Sequence, residues 1–256
     1  MKSTYYLEQY KSKGFIKLKN IFSNNDVNKI LSELEKVKSM LPEIKKKKLF
    51  HKTKDGKINT IHNIQEFYKK NKFEKIVSKK KLLSVIQTIL GKKTKVRNIE
   101  FFLKPKKTGL PSPFHQDNSY WNIVDAEAIN VWIACSESKK FNGGVCYLEG
   151  SNKMGTLKHE LSFMKGSSQR IPTEVLSKLN FPKKYPSLKL GDCIIHHPEV
   201  IHGSLKNISN RDRIGLAISF MSKNAKLDIS KIKLYKKNLN KNLKKIYKSN
   251  QTYVQS

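Results

Sequence analysis

His115 and Asp117 stand two residues apart in Phe114-His115-Gln116-Asp117. On a strand, that spacing puts both side chains on one face. A second His from a distant strand can complete three ligands on one side of a metal, and His202 is the candidate. Two His and one carboxylate, with the opposite positions open, suit the non-haem Fe(II) oxygenases. His-x-Asp alone is a weak signal that arises by chance in many chains, so the downstream residues carry the argument.

Those residues are Gly191-Asp192, Cys193-Ile194-Ile195, His202-Gly203-Ser204, Asn207, Ser209 and Arg213. The apolar run at 193–195 predicts a buried strand, and 214–220 predicts the next. Arg213 begins that second strand, eleven residues after His202. If the two strands are antiparallel neighbours, the guanidinium stands behind a metal ligand, where it can clamp a carboxylate through two parallel hydrogen bonds. A metal with an open side plus a carboxylate clamp meets the needs of 2-oxoglutarate. Its keto acid end chelates Fe(II) and its far carboxylate pairs with the Arg. His196 and His197 are rival ligands that alternate faces on their strand.

The ordered set His115-Gln116-Asp117, Trp132, Asn142-Gly143-Gly144, Gly150-Ser151-Asn152, Gly191-Asp192, His202-Gly203-Ser204 and Arg213 resembles the phytanoyl-CoA dioxygenase family. The resemblance is strong from about 101 to 221, weaker before that, and absent from the C-terminal tail. It implies a mainly β fold with flanking α-helices, a double-stranded β-helix of the jelly-roll, cupin-like kind. It also implies catalysis with Fe(II), 2-oxoglutarate and O₂, with His115, Asp117 and His202 as metal ligands. The family's spacing selects His202 over His196 and His197, and leaves His197 a structural or supporting role. The resemblance further implies that Arg213 and Ser204 hold the far carboxylate and that Trp132 packs on the co-substrate. Relatives that halogenate lack the carboxylate ligand, so Asp117 favours hydroxylation of a C–H bond in a small-molecule substrate, with succinate and CO₂ as co-products. The competing readings are an oxygenase acting on a nucleic acid or protein, and a non-catalytic jelly-roll binding protein. The mark of the last would be a lost ligand or a lost Arg, and both are intact.

A chain of 256 residues is long enough for one domain with a full core. The expected division is a single unit over 1–256, with its core at about 95–222, helical support over 1–94 and a Lys-rich tail over 223–256. No apolar run is long enough to span a membrane, and the N-terminus carries no apolar signal segment. A cytoplasmic location without membrane partners is the expectation. Cys135, Cys146 and Cys193 are too scattered for a zinc site and read as buried thiols. The net charge of +32 would point to nucleic acid, yet only four of the 52 Lys and Arg residues are Arg. Nucleic-acid sites favour Arg for base edges and stacking, and here Lys is spread along the whole chain. No specific nucleic-acid partner is expected. The positive surface can still steer anionic substrates. Oligomeric state is not legible.

The elements around these residues are read from periodicity. Residues 5–13 predict a helix, 14–18 a strand, and 27–37 an amphipathic helix capped within Ser23-Asn24-Asn25-Asp26. The basic stretch 45–57 predicts a loop or loose hairpin. His62 precedes an amphipathic stretch over 63–68, read as helix, and is a candidate for the substrate pocket. Residues 73–90 predict one further helix, and 95–103 and 128–135 predict strands. Tyr120 and Trp121, directly after the ligands, are candidates for walling that pocket. The segment 154–186 has little regularity, which predicts a functional lid or partial disorder. The tail predicts a short amphipathic helix without site residues.

Overall fold

The computed structural model describes residues 2–44, 49–91 and 93–252, with side chains from 4 to 240. The strands are β1 (Phe15–Leu18), β2 (Phe50–Lys52), β3 (Ile58–Ile61), β4 (Thr94–Lys104), β5 (Ser112–His115), β6 (Ala128–Ala134) and β7 (Val145–Leu148). They continue with β8 (Glu160–Met164), β9 (Ser167–Arg170), β10 (Lys183–Lys184), β11 (Cys193–His196), β12 (His202–Ser204) and β13 (Arg213–Ser222). The helices are α1 (Lys2–Lys13), α2 (Asn24–Met40), α3 (Lys70–Val77), α4 (Lys80–Leu90), α5 (Asn118–Trp121), α6 (Thr173–Leu176) and α7 (Ile229–Thr252).

Two antiparallel sheets face each other in a jelly roll. One runs β1-β11-β6-β13-β4-β3-β2 and the other β10-β7-β12-β5. The inner layer joins Phe15, Trp132, Ile194 and Ala217 of the larger sheet to Tyr147 of the smaller. The outer face of the larger sheet is covered by helices. β4 shows how alternation divides the two layers. Ile99, Phe101 and Leu103 pack outward against α2, α3 and α4. Asn98, Glu100, Phe102 and Lys104 alternate with them and face inward. This places polar and charged residues inside the barrel on a strand whose other side is core.

The helices follow the same logic. In α2, Val27, Ile30, Leu34 and Val37 recur at helical spacing and are fully buried. Ser23 and Asp26 form a reciprocal capping box at its start. Gly191, with φ +84°, is required where the chain turns into β11, because a Cβ there would meet the Phe22 carbonyl oxygen at 2.0 Å.

Several sequence expectations are revised. The segment 73–90 is two helices, α3 and α4, because Ser78 leaves helical geometry and Lys79 is extended. Lys79 is held there by its ion pair with Asp26 at 2.6 Å. The helix expected over 63–68 is a single 3₁₀ turn, Ile64–Glu66, since Asn63 sits in the left-handed region. The basic stretch 45–57 takes the hairpin form, one of its two expected forms, as β2–β3, which runs on to Ile61; residues 45–48 lie outside the described residues. The N-terminal segment contributes three strands to the larger sheet as well as helices. Residues 154–186 contain the β8–β9 hairpin and α6. The tail forms a 24-residue helix. No described helix is long and apolar enough to cross a membrane.

Candidate active site

β5 and β12 are adjacent antiparallel strands, and His115 lies directly opposite His202. Each ring is fixed by the same device. His115 Nδ1 donates to the Pro113 carbonyl at 2.8 Å, and His202 Nδ1 donates to the Val200 carbonyl at 3.0 Å. A carbonyl only accepts, so the proton sits on Nδ1 and each Nε2 keeps its lone pair. Asp117 Oδ1 lies 3.8 Å from His115 Nε2 and 3.7 Å from His202 Nε2. One ligand atom from each of the three residues falls within 4.8 Å of the others.

The other Asp117 oxygen is held from behind. Oδ2 accepts from Asn130 Nδ2 and from His196 Nε2, both at 3.0 Å. With Nε2 donating, His196 Nδ1 can accept from the Tyr147 hydroxyl at 3.1 Å. Burial alone would raise the Asp117 pKa. The interaction with His202, the hydrogen bond from His196 and the charge interactions with His196 and His115 outweigh it and hold the carboxyl well below the usual range. Burial, and then mutual repulsion, lowers His115 to about 4. Burial likewise lowers His202 to about 4. Two neutral imidazole nitrogens and one ionised carboxylate oxygen converge on one point. That donor set fits a divalent first-row metal such as Fe(II).

Arg213 opens β13 with 2% exposure, and its Nε and Nη1 have no partner. Its guanidinium lies 5.2 Å from the Trp132 ring centroid. Gly215 makes room for that indole, since a Cβ there would come within 2.0 Å of the ring. Burial lowers Arg213 to about 9. β12 and β13 belong to facing sheets. Arg213 is thus placed across the barrel from His202, rather than on a neighbouring strand as the spacing had implied. Ser204 is on β12, and its Oγ accepts from Lys104 Nζ at 2.6 Å. Lys104 also donates to the Leu205 carbonyl. Lys104 pairs with Arg213 in the β4–β13 register and is equally buried. Burial and the Arg213 charge hold its pKa well below the ordinary Lys value. Among the described residues, neither cation has a carboxylate partner. The two cations lie beside Trp132 and Ser204 and are candidates for holding an anion.

The pocket candidates separate. Tyr120 lies 5.8 Å edge-on to His115, and its hydroxyl exchanges hydrogen bonds with the Gln169 backbone. It borders the cluster. Trp121 is 4% exposed and packs with Ile123, Ala128 and Met221, so it is core and not an open pocket wall. Its ring instead carries the Arg97 guanidinium at 4.9 Å. His62 Nδ1 meets Glu100 Oε1 at 2.8 Å, and Glu100 is on the inward face of β4. Tyr235 of α7 reaches Tyr120 at 5.8 Å and hydrogen-bonds Ser168 on β9. The tail thus supplies a side chain beside the site, contrary to the sequence reading.

Sequence reasoning missed His196 and Lys104. The sequence presents His196 only as a rival ligand and leaves a structural or supporting role to His197. His197 in fact packs against Tyr10 at 5.4 Å. Pairing of His196 with Asn130 across β11 and β6 aims His196 at Asp117. Lys104 could have been found by continuing the β4 alternation to its last residue.

The family model described as phytanoyl-CoA dioxygenase (PhyH) matches residues 10–215. A probable alpha-ketoglutarate-dependent hypophosphite dioxygenase of Stutzerimonas stutzeri is 23% identical over 233 residues, covering 85% of this chain and 78% of that protein. The peroxisomal phytanoyl-CoA dioxygenase of Mus musculus is 23% identical over 237 residues, covering 86% and 69%. Among solved structures, EctD from S. alaskensis with bound Fe superposes with a TM-score of 0.69 at 18% identity, covering 87% of this chain and 77% of that one. At that identity the structural likeness speaks to fold.

Proposed function

This chain belongs to the phytanoyl-CoA dioxygenase family, and from that premise we propose that it hydroxylates a C–H bond of a small-molecule substrate with succinate and CO₂ as co-products. It is an Fe(II)- and 2-oxoglutarate-dependent oxygenase. His115, Asp117 and His202 would hold the iron; Arg213, Ser204 and Trp132, joined by Lys104, would hold 2-oxoglutarate. The observation that carries the reading is the convergence of His115 Nε2, His202 Nε2 and Asp117 Oδ1 with every other polar atom of the triad already occupied.

Bound Fe(II) with 2-oxoglutarate supplies the oxidising power, drawn from O₂, that a C–H bond requires. The chain's own residues prepare the site. Pro113 and Val200 fix the imidazole tautomers, so both rings present lone pairs without rotating. Asn130 and His196 keep Asp117 ionised and aim one oxygen inward, the supporting arrangement that tunes metal ligands. Arg213 offers a carboxylate the fork geometry of a two-point hydrogen bond. Trp132 covers the guanidinium and keeps water from it. Tyr120, held by Gln169 of β9, closes the side toward the hairpin.

A screen of succinate release over a small-molecule library, with Fe(II) and 2-oxoglutarate, tests the reading. One chemical class should raise succinate well above the substrate-free level in the wild type and not in Asp117→Ala. Equal succinate in both proteins for every compound would overturn it.

A further inference from the structure

We propose that the primary substrate carries an oxyanion, a carboxylate or phosphonate-type group, which Arg97 pairs with beside the metal cluster. This rests on the reading of His115, Asp117 and His202 as the metal ligands.

The chain has four Arg among 52 basic residues. Arg170 pairs with Glu160 at 2.7 Å on the β8–β9 hairpin, Arg211 is exposed, and Arg213 lies in the co-substrate site. Arg97 is the fourth. A composition that otherwise uses Lys has placed Arg at two interior positions, where a rigid planar fork differs most from a point charge.

A register shift turns Arg97 toward the site. β4 pairs Asn98 with Ser219 and then Val96 with Phe220, leaving Arg97 without an opposite residue. Plain alternation would send it outward with Ile99 and Phe101. A bulge re-aims the side chain, and the guanidinium lies on Trp121, four residues after Asp117. Its Nη1 donates to Asn98 Oδ1 at 3.1 Å. Asn98, Ser219 and Asn130 form one row across β4, β13 and β6. Asn130 is the residue that donates to Asp117, and its own Oδ1 is buried without a partner. Arg97 therefore stands on the row that supports the triad. Burial lowers its pKa while Glu100, Asp117 and Tyr235 pull it back, so all three groups are near enough to act on its charge.

Among the described residues no carboxylate pairs with Arg97. Glu100, the nearest acid on its strand, engages His62 instead. A largely buried, unpaired cation is costly, and an incoming anion relieves that cost. The anion is not the co-substrate's far carboxylate. Asn98 and Lys104 are six residues apart on β4, roughly 20 Å along the strand, and Lys104 marks the Arg213 end. A five-carbon diacid already held at Arg213 does not reach Arg97. The remaining candidate is the molecule to be oxidised.

The test uses the full chain loaded with Mn(II) and 2-oxoglutarate. Inorganic phosphate, benzoate and the neutral analogue benzyl alcohol are titrated in by calorimetry. At least one anion should bind the wild type, benzyl alcohol should not, and Arg97→Gln should weaken the anion about tenfold, the size expected for losing a charged hydrogen bond. Whichever anion binds more tightly names the group. Arg97→Lys, which keeps the charge and loses the fork, should fall between. An unchanged anion affinity in either variant, benzyl alcohol binding as tightly as benzoate, or no anion binding to the wild type below about 10 mM would overturn the inference. Failure of the wild type to bind Mn(II) or 2-oxoglutarate would instead overturn the functional reading beneath it.

Discussion

Lys104 and Arg213 stand directly opposite each other on β4 and β13, both almost fully buried, with no carboxylate partner among the described residues. Like charges directly opposite on a sheet destabilise it, and burial removes the water that would screen them. The arrangement is the one the proposed carboxylate site would use. Truncating one partner of a buried charge pair costs about 2–5 kcal/mol. Arg213→Ala should therefore weaken 2-oxoglutarate binding by about 30-fold or more. Lys104→Met should weaken it about tenfold and raise the melting temperature of the ligand-free protein, because it removes the repulsion. Arg211→Ala, at an exposed position, should change little. Calorimetric titration of 2-oxoglutarate into Mn(II)-loaded variants reads all three. An unchanged affinity in Arg213→Ala would remove the proposed co-substrate site.

His196 should act on the metal through Asp117. Replacing it with Phe removes the donor to Oδ2 and frees the carboxylate to rotate. Metal affinity should fall about 10- to 100-fold, while His196→Gln, which can still donate, should lose less. Competition against a chelator measures both. Equal affinity in wild type and His196→Phe would show that Asn130 alone holds the carboxylate.

Acid should weaken the fold from about pH 6.5 downward. Burial lowers His51, His159 and His197 to about 4 each. The unfolded chain takes up those protons near pH 6.5, and the folded protein not until about pH 4. Between these values the unfolded state binds more protons, so stability falls as pH drops through the window. Urea midpoints at pH 7.0, 5.5 and 4.5 should decline in that order, and His197→Gln should flatten the trend. A flat profile would mean these rings are hydrated in solution.

The site's outline was legible because its signals are local. His115 and Asp117 share a face by spacing alone, and Arg213 announces the strand it opens. What was not legible depends on pairing between distant strands. Whether His196 or His197 faces inward is decided by the register of β11 against β1 and β6. Lys104 is one Lys among many until β13 is laid beside β4. Arg97 needs a register shift that no period reveals. The break between α3 and α4 comes from Lys79 reaching Asp26, a contact 53 residues apart. Tyr235 joins the site only because α7 packs back onto α5 and β8.

The central claim is that His115, Asp117 and His202 hold one metal ion per chain. It is tested most directly by metal content after anaerobic Fe(II) loading and desalting. Wild type should retain one equivalent, and His115→Ala and His202→Ala should each lose stoichiometric binding while keeping the wild-type circular-dichroism spectrum. Wild-type metal content in both variants would contradict the account.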